Sequence, residues 1–223
     1  MKPLAIFDLD GTLVDTPRAI VESFRETFTA LGFAPREDAS IRATIGLPLE
    51  RAFSTLLEVP LDDRRVPDAI RGYQAVFRER VLPRAGQLVF PGVIDGLTRL
   101  QSRGMLLAVA TSKFHASAQS LLEAAGLRGF FDLVVGADQV EKPKPAPEMG
   151  LFILSKLDVR PGRAVMVGDT THDLHMAHAA GLRSIAVTYG VHSLQELTSA
   201  EPTWIARSFQ EVVGYLQTGP RQD

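Results

Sequence analysis

The chain has 223 residues, which at ~150 residues per domain amounts to one domain with a sizeable insertion or two unequal domains. Hydrophobic residues make up 45% and charged residues 22% of the chain, a composition that supports a real core and excludes a largely disordered polypeptide. Lys+Arg number 24 against 26 Asp+Glu, a net charge of −2, so no global field gathers nucleic acid or anionic lipid. Cysteine is absent, which removes disulfides, Cys-ligated zinc, iron–sulfur clusters and thiol nucleophiles from consideration.

The first ten residues, Met1 to Asp10, carry one lysine and a short apolar run before two aspartates, which is not the pattern of a signal peptide. No stretch approaches the ~18 apolar residues of a membrane span. A cytoplasmic protein with no membrane and no nucleic-acid partner is expected, as a monomer or a homodimer.

The first predicted strand is Leu4 to Phe7. From Asp15 to about Gly86 the periodicity becomes helical: Ile20, Phe24, Phe28 and Leu31 fall at spacings of four, four and three, on one face. Further helices are predicted near Leu49 to Leu57 and Pro67 to Arg80. Val93 to Ser102 forms the next, starting after Pro91-Gly92, with Val93, Leu97 and Leu100 on one side. Apolar runs then recur at Met105 to Ala110, Leu133 to Gly136, Ala164 to Val167 and Ser184 to Val187, separated by helical stretches at Ala116 to Ala125, Ala146 to Lys156 and Thr171 to Ala180. Continuous apolar runs of this length read as strands buried on both faces of a parallel sheet. Their alternation with helices predicts a doubly wound, Rossmann-like α/β core. The expected organisation is a core of residues 1–14 and 87–223 with an all-α insertion, residues 15–86; the tail from Gln217 to Asp223 is expected to fray.

Ligands of open parallel sheets bind beyond the carboxyl ends of the strands, so the residues after each strand are the informative ones. Strand one is followed by Asp8-Leu9-Asp10-Gly11-Thr12, strand two by Thr111-Ser112 and strand four by Gly168-Asp169, with Asp173 four residues on. A proline-fixed loop, Lys142-Pro143-Lys144-Pro145-Ala146-Pro147-Glu148, precedes strand four. Several carboxylates at one sheet edge repel one another unless a cation sits among them, and all-oxygen ligands suit Mg²⁺. Magnesium with a nearby lysine and hydroxyl makes a phosphoryl-binding arrangement, and two carboxylates in different surroundings can divide the roles of nucleophile and acid/base. Gly11 lets the backbone turn closely around the site.

Taken together these segments resemble the motifs of the haloacid dehalogenase-like (HAD) hydrolases, and within them the phosphoglycolate phosphatase-like enzymes with a helical cap after the first motif. The matching segments are Asp8 to Asp15, Thr111-Ser112, Lys144-Pro145-Ala146-Pro147-Glu148, and Val167-Gly168-Asp169 with Asp173; Phe90-Pro91-Gly92-Val93 and Ala179-Ala180-Gly181 are also similar. The resemblance implies a Mg²⁺-dependent phosphatase acting on small phosphorylated metabolites through an aspartyl-phosphate. Asp8 is then the nucleophile and Asp10 the acid/base. Thr111, Ser112, Lys144 and Gly11 hold the phosphoryl group; Asp8, Asp10 (through its backbone carbonyl), Asp169 and Asp173 hold the metal. Phosphoglycolate is the leading substrate.

Lys142 also satisfies the lysine motif one step upstream and stands in reserve, Lys144 being preferred because Glu148 then falls on the family's acidic position. Thr44-Ile45-Gly46-Leu47-Pro48 resembles the cap's specificity loop, with Arg18, Arg42 and Arg51 nearby as candidates to face the leaving group. A phosphomutase, a pyrophosphatase or a nucleotidase fits the same core. A phospho-aspartate signalling module is a rival of another class, but it is about half this length and has no insertion. His172, His175 and His178 recur every third residue, a spacing that drifts around a helix and cannot gather one ion. Lys113 is expected to cap the helix after strand two, and Phe24, Phe28 and Phe53 to be core.

Overall fold

The computed structural model describes residues 2–218. Its centre is a six-stranded sheet, β1 (Leu4–Phe7), β2 (Leu106–Ala110), β3 (Leu133–Val135), β4 (Ala164–Gly168), β5 (Arg183–Val187) and β6 (Trp204–Ala206), all parallel, in the order β3-β2-β1-β4-β5-β6. The chain first winds outward from β1 to β3, then crosses to β4 and winds the other way. β1 and β4 therefore flank the switch point where such sheets bind ligands.

Successive strand residues feed opposite faces, as the pleat requires. Ala5, Phe7, Leu107, Val109, Val165 and Val167 join one apolar cluster; Leu4, Ile6, Ala108, Ala110, Ala164 and Met166 join the other. On the first face Phe7 stacks on Phe209 at 5.8 Å, which brings in α10 (Phe209–Thr218), while α5 (Val93–Ser102) and α6 (His115–Ala124) add Leu97 and Leu121. The second face is covered by α7 (Glu148–Leu157) and α8 (Thr171–Ala179), through Met149, Ile153 and Met176.

Between β1 and α5 lie α1 (Pro17–Ala30), α2 (Asp38–Arg42), α3 (Leu49–Leu57) and α4 (Arg65–Arg80). Their shared interior is aromatic: Phe24 meets Phe53 at 4.7 Å and Tyr73 at 4.8 Å, and Phe28 meets Phe53 at 6.2 Å. Aromatic pairs of this kind fix a small helical unit that has no sheet to pack on.

Several expectations need correction. Leu31 follows the last residue of α1 and is 40% exposed; Phe33 takes its place, 5.7 Å from Phe28. β2 begins at Leu106 because the N–H of Met105 donates to Leu100 O at the end of α5, and β3 ends at Val135 because the N–H of Gly136 donates to Gln139 Oε1. α7 begins at Glu148, the N–H of Ala146 closing a turn onto Pro143 O. The short α2, α9 (Leu194–Ser199) and β6 carry too few residues to show a period, and α10 was not predicted. Gln217 and Thr218 belong to α10, so the expected fraying does not begin there; the rest of that tail, 219–223, lies outside the described residues. Among the described residues no helix is long and apolar enough to cross a membrane.

Candidate active site

The ends of β1, β2 and β4 bring the predicted residues together. Asp8 leaves β1 with its N–H still donating to Val167 O of β4. Asp169 follows β4, and Asp173 sits in the first turn of α8. Oxygen atoms of Asp8, Asp169 and Asp173 all lie within 4.8 Å of one another, and all three residues are buried.

Lys144 enters this group from the proline-fixed loop. Its buried ammonium donates to Asp8 Oδ1 at 2.9 Å, to Asp173 Oδ1 at 2.6 Å and to Ala110 O at 3.1 Å, which uses all three of its protons. Lys142 is exposed, and its backbone N–H donates to Glu148. Of the two motif readings, the structure therefore brings Lys144, and not Lys142, to Asp8.

Each carboxylate has distinct company. Asp173 Oδ2 accepts from the N–H and the hydroxyl of Thr170, at 3.1 and 2.7 Å, so Asp173 ties the start of α8 to Lys144. Asp169 Oδ1 accepts from the Thr12 hydroxyl at 2.9 Å, and its Oδ2 from the Val191 N–H at 2.8 Å. Asp8 Oδ2, by contrast, has no protein donor among the described residues.

Burial raises the Asp8 carboxyl to about 7, with the charges of Asp173 and Asp10 adding and Lys144 opposing. Burial, then Asp8 and Asp173, push Asp169 well above the usual carboxylate range. Burial works against the Lys144 ammonium, but Asp173 and Asp8 outweigh it and raise its pKa. Three buried carboxylates face one ammonium, a deficit of positive charge that a hard divalent cation with oxygen ligands would fill. The donor set fits such an ion. His172, His175 and His178 are not part of the group.

Asp10 is placed differently. Its carboxylate is not in the three-aspartate group; Oδ1 accepts from the Thr16 hydroxyl at 2.5 Å, and Lys113 Nζ lies 3.3 Å from Oδ2. Both partners escape a reading of the sequence. Thr16 precedes Pro17 and looks like a helix cap, yet its hydroxyl makes no capping bond. Lys113, expected to cap a helix, instead turns inward to Asp10 and to the Phe77 ring of α4, 4.1 Å away.

Gly11 also needs correction. Its φ is +81° and a side chain there would collide with Asp169. Its N–H donates to Val14 O at 2.9 Å, so Gly11 shapes the turn and its own donor is spent inside it. Thr111 and Ser112 line the same cavity as Asp8 and Asp10. Ser112 in addition donates from its hydroxyl to Gly46 O at 2.6 Å, fastening the Thr44 to Pro48 loop to the strand end.

That cavity holds about 50 Å³ and is roofed by Ile45, Leu47 and Tyr73 from the inserted helices. Leu49, Tyr73 and Lys113 also border a second space of about 250 Å³ between α4 and α6. Arg18, Arg42 and Arg51 line neither. Arg42 instead donates to Gly190 O at 3.2 Å, in the segment after β5 that closes over Asp169. Tyr189 of that segment donates to Thr12 O at 3.1 Å. No sequence motif marks the chain just beyond Val187, so this cover over Asp169 is visible only in the fold.

A model of the haloacid dehalogenase-like hydrolase family matches residues 5–187. The chain is 58% identical over 214 residues to a probable phosphatase IndB of Dickeya dadantii, covering 96% of this chain and 93% of that protein. It is 29% identical to a phosphoglycolate phosphatase of Psychrobacter arcticus, with 96% of each chain covered. Identity to a pyrophosphatase PpaX of Halalkalibacterium halodurans is 32%, over 93% of this chain and 94% of that one. Among solved structures, a putative haloacid dehalogenase-like hydrolase from Bacteroides fragilis superposes with a TM-score of 0.85 at 27% identity, over 95% of this chain and all of the other. The chain belongs to the haloacid dehalogenase-like hydrolases and is a phosphatase of that family.

Proposed function

We propose that the protein is a Mg²⁺-dependent phosphomonoesterase for small phosphorylated metabolites, with residues 15–86 acting as a cap over a core formed by 1–14 and 87–223. The observation that carries this is the pairing at the end of β1. Asp8 keeps one oxygen on Lys144 and the other without a donor, while Asp10, two residues on, is held apart by Thr16 and Lys113. One carboxylate is free to attack and the other is set to handle protons.

In this reading Asp8 Oδ2 forms a bond to phosphorus as the bond from phosphorus to the leaving oxygen breaks. Asp10 gives its proton to that oxygen, so the organic part departs as an alcohol. Asp10, now a carboxylate, then takes a proton from water, which attacks phosphorus and breaks the Asp8–phosphorus bond to release phosphate. Lys144 remains on Asp8 throughout, and the Thr111 side chain with the Ser112 backbone N–H supports the phosphoryl oxygens. Asp8, Asp169, Asp173 and the backbone carbonyl of Asp10 would hold the Mg²⁺, Asp173 also fixing Lys144. When bound, the ion supplies positive charge for the phosphoryl oxygens in the transition state.

The small cavity suits a phosphoryl group, and the adjoining space of about 250 Å³ offers room for the organic part. Phosphoglycolate leads the substrates through the family likeness. Pyrophosphate is the second reading, favoured by the 32% identity to an enzyme named for it. The test is phosphate release from phosphoglycolate, pyrophosphate, sugar phosphates and nucleotides, with and without Mg²⁺, using Asp8→Asn as the blank. Release that needs both Mg²⁺ and Asp8 is expected; release that survives Asp8→Asn in protein free of other phosphatases overturns the reading.

A further inference from the structure

We propose that Lys113 is the positioning residue of Asp10, and that the Phe77 ring of the inserted helices holds Lys113 in that role. This rests on the reading of Asp10 as the acid/base group.

Lys113 follows Thr111-Ser112 at the end of β2, and its backbone N–H donates to Thr111 Oγ1 at 3.3 Å. From there an ordinary lysine reaches into solvent, where its long stem stays mobile. This side chain is only 10% exposed. Ordering a largely buried lysine side chain costs conformational entropy, so the position needs compensating partners. Two are present: Asp10 Oδ2 at 3.3 Å and the face of Phe77 at 4.1 Å. The ring's negative face attracts the ammonium and adds a second hold beside that of the carboxylate.

The consequence falls on Asp10. With Thr16 alone its carboxylate is anchored through one oxygen and can turn about that bond. Lys113 holds the second oxygen and fixes the plane of the group. The three partners come from separate elements: Thr16 from the segment entering α1, Lys113 from the end of β2, Phe77 from α4. Phe77 is itself buried and packs 5.8 Å from Tyr73, so the ring's place is set by the interior of the inserted helices. The placement of Asp10 is thereby tied to the seating of α4 beside β2.

The test compares two leaving groups. An alkyl phosphate needs a proton on its departing oxygen, whereas p-nitrophenyl phosphate releases a stable phenolate without one. kcat/KM reports the steps up to leaving-group departure, so water attack on the aspartyl-phosphate does not obscure the contrast. Lys113→Met is expected to lower kcat/KM for the alkyl phosphate by roughly 10- to 100-fold and for p-nitrophenyl phosphate by no more than about threefold. Lys113→Arg should recover part of the loss, and Phe77→Leu should show the same contrast more weakly. An equal fall for both substrates, or no fall for either, overturns the proposal; an equal fall would mean that Lys113 serves phosphate binding or the fold. Should Lys113→Met not fold, Lys113→Gln and Phe77→Leu carry the same comparison. Asp8→Asn is run alongside. If the wild type shows no Asp8-dependent release, the proposed function itself has failed, whereas Asp8-dependent release without the leaving-group contrast rejects only the role of Lys113.

Discussion

The two aspartates that flank Leu9 stand in opposite surroundings. Asp8 faces the core: it is buried, its partner is Lys144, and Asp169 and Asp173 crowd it with like charge. Asp10 faces the seam between the sheet and the inserted helices, where a threonine hydroxyl and a lysine backed by a phenylalanine of those helices hold it. One residue of separation at a strand end is enough for this, because β1 ends at Phe7 and the chain bends at Leu9, whose carbonyl then accepts from Leu13 and Val14 as the backbone folds back. The core side is a charge-dense, buried clamp. The seam side is assembled from three elements that need not move as one body, so losses on the two sides should differ in kind.

The sharpest break in the comparison is at Asp8. Asp8→Asn keeps the shape of the side chain and should reduce turnover by on the order of 10⁴-fold or more, with the melting midpoint little changed because Asp173 still neutralises Lys144. Retained turnover would mean that the core side does not contain the nucleophile. Lys144→Met comes next and should damage fold and activity together. It leaves Asp8 and Asp173 buried without their cation, a loss of about 3–5 kcal/mol, which at ~2–4 °C per kcal/mol for a chain of this length lowers the melting midpoint by roughly 10 °C. A midpoint within a degree or two of wild type would show that the clamp contributes little to stability.

The charge deficit of the core side also predicts how stability follows pH. The folded Asp8 carboxyl is raised from 3.8 to about 7, by burial first and then by the charges of Asp173 and Asp10. The folded protein therefore binds more protons than the unfolded chain across that interval, and stability falls as pH rises through it. Metal-free protein should melt lower at pH of about 7.5 than at about 5, and added Mg²⁺ should raise the midpoint more at the higher pH. Equal Mg²⁺ shifts at both would remove the carboxylate cluster as the binding site. The smallest effect belongs to the seam. Ser112→Ala removes the hydrogen bond to Gly46 O, worth about 0.5–1.5 kcal/mol, and should raise KM a few-fold while lowering the melting midpoint by at most a few degrees. A large fall in that midpoint would show that the loop is part of the fold and not a separable cover.

The sequence carried the core side well. Each of its residues sits directly after a predicted strand, in the helix start behind one, or in the proline-rich loop, and runs such as Leu4 to Phe7 and Ala164 to Val167 are legible because a strand buried on both faces must be apolar throughout. β6 stayed hidden because a three-residue edge strand has no measurable period. The seam was poorly read for another reason. Thr16 and Lys113 have ordinary local explanations, a cap before a proline and a lysine at a helix start, and only contacts across the fold displace them. The same holds at Gly11, whose spent N–H depends on where Val14 folds back, and at the segment after β5 that closes over Asp169 through Val191.

By itself, then, the order of apolar runs, turns and strand-end carboxylates determined that this is a doubly wound α/β protein with a helical insertion and an acidic cluster at the strand ends, since each of those features is a local pattern that elementary sterics and burial enforce. The tertiary structure alone decided which of two lysines meets Asp8, what fixes Asp10, and that Phe77 of the insertion reaches the end of β2. Those are contacts between residues far apart in the chain, and which partner a side chain finds depends on how whole elements pack, a quantity no local window of sequence contains.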